Sequence, residues 1–136
     1  MSWRESLIKI ANHEVDTLQK RLTEVVDRRE AAEMRVMMLD AQVESELGQI
    51  GGDPHLAFSR GAYVAGMKLR REQLVAQAQA IALEEAGARD ALSAAFESQK
   101  KFEHVAELAR LSREKAEAAR ENASLDEMGR RAVARR

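Results

Sequence analysis

The sequence predicts an all-α protein, an elongated antiparallel coiled-coil hairpin made of two helices. Ala, Glu, Lys, Leu and Arg supply 76 of its 136 residues, a composition typical of long helices. The chain has one proline and an aromatic content of 4%, which argues against sandwiches and barrels built from β-branched and aromatic strands. Since alanine supplies 24 of the hydrophobic residues, we expect one coiled-coil domain, residues 1–136, with a thin apolar seam.

The first predicted helix covers about residues 6–47. Ser6 is its expected N-cap, because a serine side chain accepts hydrogen bonds from the free amides of the first turn. A glycine-rich turn over residues 48–53 is expected to end the helix. Its apolar residues alternate at spacings of three and four, the repeat that keeps one stripe against a partner helix, and Arg29 is the one exception. The seam positions are Ile8, Ala11, Val15, Leu18, Leu22, Val25, Arg29, Ala32, Val36, Leu39 and Val43.

The second predicted helix covers about residues 54–134. Asp53 is its expected N-cap, and Pro54 fits the first helical position, where a missing amide costs nothing. Gly61 and Gly66 each cost up to about 1 kcal/mol in a helix, so we expect the helix to be kinked or short between them. Beyond these glycines one heptad position is apolar in nine successive repeats, namely Met67, Leu74, Ile81, Ala88, Ala95, Phe102, Ala109, Ala116 and Ala123.

The companion heptad position of this helix is weaker, since it also holds Glu85, Gln99 and Arg113. The two helices are unequal as well. At about 1.5 Å per residue the first spans roughly 60 to 65 Å and the second roughly 110 to 120 Å. An antiparallel hairpin therefore leaves about the last thirty residues as a lone helix, which needs another partner to cover it.

No catalytic, cofactor or metal site is predicted. His13, His55 and His104 are far apart and lack carboxylate or thiolate partners at ligand spacing. The stretch Gly61–Gly66 matches the start of a phosphate-binding loop but lacks the Lys and Ser or Thr that must follow. The chain has no cysteine, and its longest uncharged stretch, residues 73–83, is far shorter than the roughly 20 residues that span a bilayer. We therefore expect a soluble, cytoplasmic protein that is not an enzyme.

Positive charge gathers at the C-terminal end, residues 125–136, although the whole chain is balanced with 22 Lys plus Arg against 23 Asp plus Glu. This balance gives no net field that attracts nucleic acid or acidic membranes. Three interpretations of the terminal arginines stay open. They complement the negative pole of the helix, or they bind an acidic surface of a partner. The third is nucleic-acid binding, which no basic stripe or nearby aromatic residue supports. These arginines are Arg130, Arg131, Arg135 and Arg136.

A second cluster lies around the turn, where methionines and two of the five aromatic residues come together. These side chains either close the tip of the hairpin locally or form a docking surface for a partner. The cluster consists of Met37, Met38, Ile50, Phe58 and Tyr63.

Three segments carry a family resemblance: the start of the heptad arm at Leu7–Ala11, the glycine break, and the closing run from Lys100 to Arg131. The most specific part is the ending, Leu125–Arg131, in which Leu-Asp-Glu is followed by two small or apolar residues and Arg-Arg. Together these segments resemble the flagellar FliJ family and its injectisome relatives of the YscO type, and the resemblance extends over nearly the whole chain.

The resemblance implies a cytoplasmic, non-enzymatic component of the flagellar type III protein export machine, at the inner-membrane face of the flagellar base. It implies a stalk similar to the shaft of rotary ATPases. The partners that it implies are the hexameric export ATPase, whose ring assembly the stalk promotes, the export gate, and substrate chaperones. Carried over by position, the residues that contact the ATPase ring are Leu125, Asp126, Glu127, Arg130 and Arg131.

The resemblance also implies a surface that contacts the export gate, on both arms near the tip. Leu39, Tyr63 and Met67 fit such positions, whereas Gln42 and Glu46 stand where the family pattern has an aromatic residue. Two other functions stay open. A chaperone or scaffold without ATPase contact keeps its substrate binding when the terminal arginines are removed and loses it on Tyr63→Ala. A small RNA- or DNA-binding hairpin has an affinity that falls steeply with salt.

Overall fold

The predicted all-α helical hairpin is confirmed. The computed structural model describes residues 2–52 and 54–135, of which 97% are helical and none lies in a strand. Helix α1 is Trp3–Ile50, a 3-10 turn follows at Pro54–Leu56, and helix α2 is Ala57–Ala134. The expected N-cap Asp53 lies outside the described residues, as does Arg136.

Helix α1 begins at Trp3, before the expected start, because Ser2 rather than Ser6 caps it. The Ser2 hydroxyl accepts a hydrogen bond from the Glu5 amide at 3.3 Å, and the Glu5 carboxylate accepts one from the Ser2 nitrogen at 3.3 Å. This reciprocal arrangement is a capping box, which satisfies two free donors at once. Ser6 lies inside the helix, where its hydroxyl donates to the Ser2 carbonyl.

Helix α1 ends at Ile50, because Gly51 and not Gly48 takes the left-handed conformation. Gly51 has a φ of 58°, and its amide donates to the Leu47 carbonyl at 3.1 Å. This is the common C-terminal cap in which a glycine just beyond the helix satisfies a free carbonyl. Gly48 is helical, so the connection between the helices begins at Gly51, three residues later than the predicted start of the turn, and α2 begins at Ala57.

Helix α2 continues through both early glycines, since residues 61–66 are helical throughout. The helix is therefore not shortened at this point, and a bend there stays a prediction. None of the described helices is both long and apolar enough to cross a membrane.

Packing divides the chain into two compact units. The first consists of Met1–Val15 with Ala95–Arg136, and the second is Asp16–Ala94. In the first unit the Gln99 amide donates to the Asn12 side chain at 2.7 Å. In the second, Arg21 is paired with Glu84 and Asp40 with Arg71, so residue numbers rise along α1 as they fall along α2. The helices of the second unit are therefore antiparallel.

The core of each unit is a narrow line of side chains, as the heptad pattern predicts. In the first unit the buried residues are Ala11, Val15 and Ala95. In the second they are Val25, Ala32 and Leu39, and Val25 has no exposed surface. All five of the α1 residues are seam positions. The α2 seam stops sooner than its sequence pattern, because Ala109 is half-buried whereas Ala116 and Ala123 are exposed.

Candidate partner-binding surfaces

The C-terminal part of α2 is a single helix that does not pack against α1. Every residue from 111 to 135 is exposed, and α1 reaches only as far as the neighbourhood of Arg113, which lines the same depression as Ser2. The segment carries large apolar side chains in the open, with Leu125 63%, Met128 61% and Val133 71% exposed. Several large apolar side chains exposed on a helix that nothing covers are typical of a partner-binding segment.

The predicted ring-contact residues divide over two faces of this helix. Leu125, Asp126 and Arg130 line one shallow groove together with Gly129 and Val133. Because Gly129 has no side chain, the helix is thinner on this face at that position. Glu127 and Arg131 lie on another face and form an exposed ion pair at 3.4 Å. Exposed pairs of this kind contribute at most about 0.5 kcal/mol, so both side chains remain available to a partner at little cost.

Near the turn, the second unit contains an apolar groove of about 460 Å³ between α1 and α2. The surface inside the groove is mostly apolar, and acidic and basic side chains lie at its edge. Two of the predicted gate-contact residues, Leu39 and Met67, lie in it. Leu39 is only 6% exposed and therefore supports the groove from below. The remaining lining residues are Asp40, Val43, Glu44, Leu47, Val64, Lys68 and Arg71.

Tyr63, the third predicted gate residue, is half-buried and its hydroxyl faces α1. The hydroxyl is buried without a well-aligned hydrogen bond, but the nearby Glu46 carboxylate raises the pKa of Tyr63. In return the Tyr63 hydroxyl, followed by the Gln42 amide, which donates at 3.2 Å, lowers the pKa of Glu46. Of the two α1 positions that depart from the family pattern, Glu46 interacts with Tyr63, and Gln42 donates a hydrogen bond to Glu46.

The apolar cluster around the turn does not close the tip through its largest members. Phe58 is 90% exposed, and Met37 and Met38 are each 64% exposed. The two remaining members, Ile50 and Tyr63, are half-buried. The exposed side chains favour the second of the two interpretations, a docking surface, because apolar groups left in water are commonly covered by a partner.

Sequence reasoning missed three parts of these surfaces. Val64 and Leu47 line the groove, although neither belongs to the heptad positions singled out in the sequence. Gly129 shapes the C-terminal groove, and its signal was a glycine inside an otherwise alanine-rich helix. Among the residues described, no group of three or more histidine, cysteine or acidic side chains could hold a metal ion.

Comparison with known proteins gives a full-length relative. The chain is 51% identical over 132 residues to the protein named "Flagellar FliJ protein" of Caulobacter vibrioides strain NA1000 / CB15N, covering 97% of this chain and 95% of the relative. The protein of the same name from strain ATCC 19089 / CIP 103742 / CB 15 matches with the same identity and coverage. No protein-family model matches the chain. No solved structure matches it either.

Proposed function

Because the chain belongs to the flagellar FliJ family, we propose that it is a non-enzymatic component of the flagellar protein export apparatus. In this role it is a coiled-coil stalk that works on the cytoplasmic side of the flagellar base and joins the export ATPase to the export gate. The observation that carries the proposal is the 51% identity over 97% of the chain to a flagellar protein. Substrate chaperones are further proposed partners.

The uncovered C-terminal segment supports the ATPase contact. A single helix with its side chains is about 10 to 12 Å wide, so it fits a pore that excludes a pair of helices. Six of the residues between 111 and 135 are alanine, and Gly129 has no side chain, so the segment is narrow at those positions. We propose that Leu125 and Val133 supply apolar contact and that Arg130 meets an acidic group, while Asp126, Glu127 and Arg131 fix the orientation.

The test mixes the full-length protein with the export ATPase of the same organism and measures hexamer formation by sedimentation and ATP hydrolysis by phosphate release. We expect the wild-type protein to increase both. Leu125→Ala combined with Arg130→Ala should weaken the effect at least about fivefold, the loss of affinity typical of removing one important contact. The matched control is Arg120→Ala, which removes the same charge from another exposed position of the segment.

The stalk assignment is refuted if the wild-type protein changes neither hexamer formation nor ATP hydrolysis. An equal loss in the control and in the double variant would mean that general positive charge, and not the C-terminal motif, carries the contact.

The groove near the turn supports the gate contact. Its apolar walls and its rim of Asp40, Glu44, Lys68 and Arg71 can receive an apolar side chain of a partner and orient it by charge. We propose that Met67 and Val64 contact the gate directly, that Leu39 supports them, and that Tyr63 holds the neighbouring backbone in place through Glu46.

Calorimetry with the cytoplasmic domain of the export gate tests this surface. Met67→Ser should weaken binding at least about fivefold, because a half-buried apolar side chain in a groove is a typical energetic anchor. Leu83→Ser is the matched control, since Leu83 is 76% exposed on the same helix and does not line the groove. Equal affinities of wild type and Met67→Ser would remove the groove from the gate surface.

A chaperone or scaffold without ATPase contact is the second candidate function, and the exposed Phe58, Met37 and Met38 favour it. Adaptable apolar side chains suit the binding of varied unfolded segments. Substrate binding and the response of the ATPase together distinguish the two functions. If export substrates bind equally well to the wild type and to a protein that lacks residues 125–136, and the ATPase responds to neither protein, the chaperone function replaces the stalk.

A further inference from the structure

One charged pair lies inside the apolar seam of the unit Asp16–Ala94. Within this unit, Arg29 of α1 and Glu85 of α2 stand at heptad positions whose neighbouring members are apolar, namely Val25 and Ala32 on α1 and Ala78 and Leu92 on α2. In the structure these two charged residues lie together, with Arg29 Nε 2.8 Å from Glu85 Oε2. The side chains are 23% and 12% exposed, and the adjacent α1 seam residues are Val25 at 0% and Ala32 at 2%.

Each member of the pair has a second partner on its own helix. Arg29 Nη1 is 3.0 Å from a Glu33 oxygen, and Glu85 Oε1 is 3.3 Å from Arg89 Nη2. The adjacent Glu84 accepts from Arg21 at 2.6 Å and from Arg28 at 3.0 Å. The Nε–H of Arg29 is not well aligned for a hydrogen bond to Glu85, although the two groups form an ion pair.

The apolar part of the seam does not by itself distinguish one register from another. If α2 slides along α1 by one heptad, apolar residues again meet apolar residues, because each seam repeats every seven positions. The slide changes the charged pair completely. Arg29 then meets Ala78 or Leu92, and Glu85 meets Leu22 or Val36, so that a carboxylate only 12% exposed in the observed register loses its partner across the seam.

We propose that the Arg29–Glu85 pair is a register lock, which selects one alignment of α1 and α2 in this unit and adds little to its stability. A charge removed from water is costly when unpaired and is roughly compensated when paired, so the pair penalises slipped alignments more than it rewards the observed one. A polar group at a seam position sets helix register in other coiled coils by the same physics.

The absence of cysteine from the chain allows a direct readout by disulfide formation. Val36 and Val75 line one small depression between the helices, so Val36→Cys with Val75→Cys reports the observed register. Val36→Cys with Lys68→Cys reports a slide of one heptad in one direction, and Val43→Cys with Ala78→Cys reports the opposite slide. In the observed register Val36 faces Val75 and Val43 faces Arg71. Lys68 and Ala78 are each seven residues, about 10 Å along α2, from those positions, beyond the roughly 7 Å between Cα atoms that a disulfide can bridge.

In the otherwise wild-type chain, the in-register disulfide should form at least about tenfold more than either slipped one. A slipped state takes the Arg29 and Glu85 charges away from each other across the seam and leaves each of them only its exposed partner on its own helix. In Arg29→Leu with Glu85→Leu, we expect the slipped disulfides to rise to within about threefold of the in-register one, since all registers are then apolar. The same variant should melt at no lower temperature than the wild type. Non-reducing gels at low protein concentration separate disulfides within one chain from those between chains.

The matched control replaces another interhelical pair of the same unit, Asp40→Leu with Arg71→Leu. Those two side chains are in contact at 2.8 Å but are 49% and 52% exposed, so they should leave the register unchanged. Arg29→Ala with Glu85→Ala repeats the test with a small residue, in case leucines at both positions cause association. A register that stays as selective in both variants as in the wild type overturns the proposal, and so does an equal loss of selectivity in the control.

Discussion

Two glycines near the end of α1 should respond in opposite directions to replacement by alanine. Gly51 has a φ of 58°, whereas Gly48, three residues earlier, is helical. A β-carbon added to either glycine meets no other atom within 4 Å. Crowding by neighbours is therefore excluded as a cause, and only the backbone conformation decides the sign of the effect.

The magnitudes follow from that conformation. Gly51→Ala places an L-residue in the left-handed region, which costs about 1–2 kcal/mol. Gly48→Ala improves a helical position by about 0.5–1 kcal/mol, because glycine pays more backbone entropy than alanine on folding. The two variants should therefore differ by about 2 kcal/mol in the free energy of unfolding, although they differ from the wild type by the same methyl group.

Urea unfolding followed by circular dichroism measures the difference, and thermal midpoints should move apart by several degrees, on the scale of about 2–4 °C or more per kcal/mol. Gly51→Ala is expected below the wild type and Gly48→Ala above it. A Gly48→Ala variant as destabilised as Gly51→Ala would refute this description of the helix end, because it would place the left-handed residue at or near Gly48.

Three further predictions follow from single contacts. Val25→Ala removes two methyl groups from a side chain with no exposed surface, so urea unfolding should show a loss of about 2 kcal/mol, and a loss below about 0.5 would mean that the seam is open there. Ser2→Ala should cost about 1 kcal/mol and speed hydrogen exchange of the first-turn amides, whereas Ser6→Ala should not. The pKa of Glu46 is lowered from its ordinary 4.5, so its carboxylate stabilises the fold above that pH and the contribution is lost as the pH falls through the lowered pKa. Thermal midpoints at about pH 7 and about pH 3 should therefore fall less for Glu46→Gln than for the wild type, and equal falls would contradict the contact with Tyr63.

The fold was predictable because its main determinant is periodic. A repeat of three and four residues marks every buried residue of α1, including Ala11, Val25 and Leu39, without knowledge of the partner helix. Helix ends were less predictable, because local hydrogen bonds decide them. Ser2 and Glu5 form a capping box that is present in the sequence, whereas the expected cap, Ser6, lies inside the helix.

Contacts between the helices could not be predicted from the sequence, for a different reason. The sequence marks Arg29 and Glu85 as exceptions, each on its own helix, but their pairing depends on register, which a nearly uniform apolar seam does not specify. Tyr63 was predicted at a contact surface from the family pattern alone. The structure turns its hydroxyl towards Glu46, an interaction that depends on the same register.

Hydrogen exchange of the protein mixed with its export ATPase tests the central claim most directly. Amides of a single uncovered helix exchange quickly because nothing protects their local opening. The stalk function predicts that residues 111–135 become protected when the ATPase is added, most strongly around Leu125 to Arg131, while the part of the unit Asp16–Ala94 around Val25 does not change. Unchanged exchange in residues 111–135 at saturating ATPase would contradict the claim.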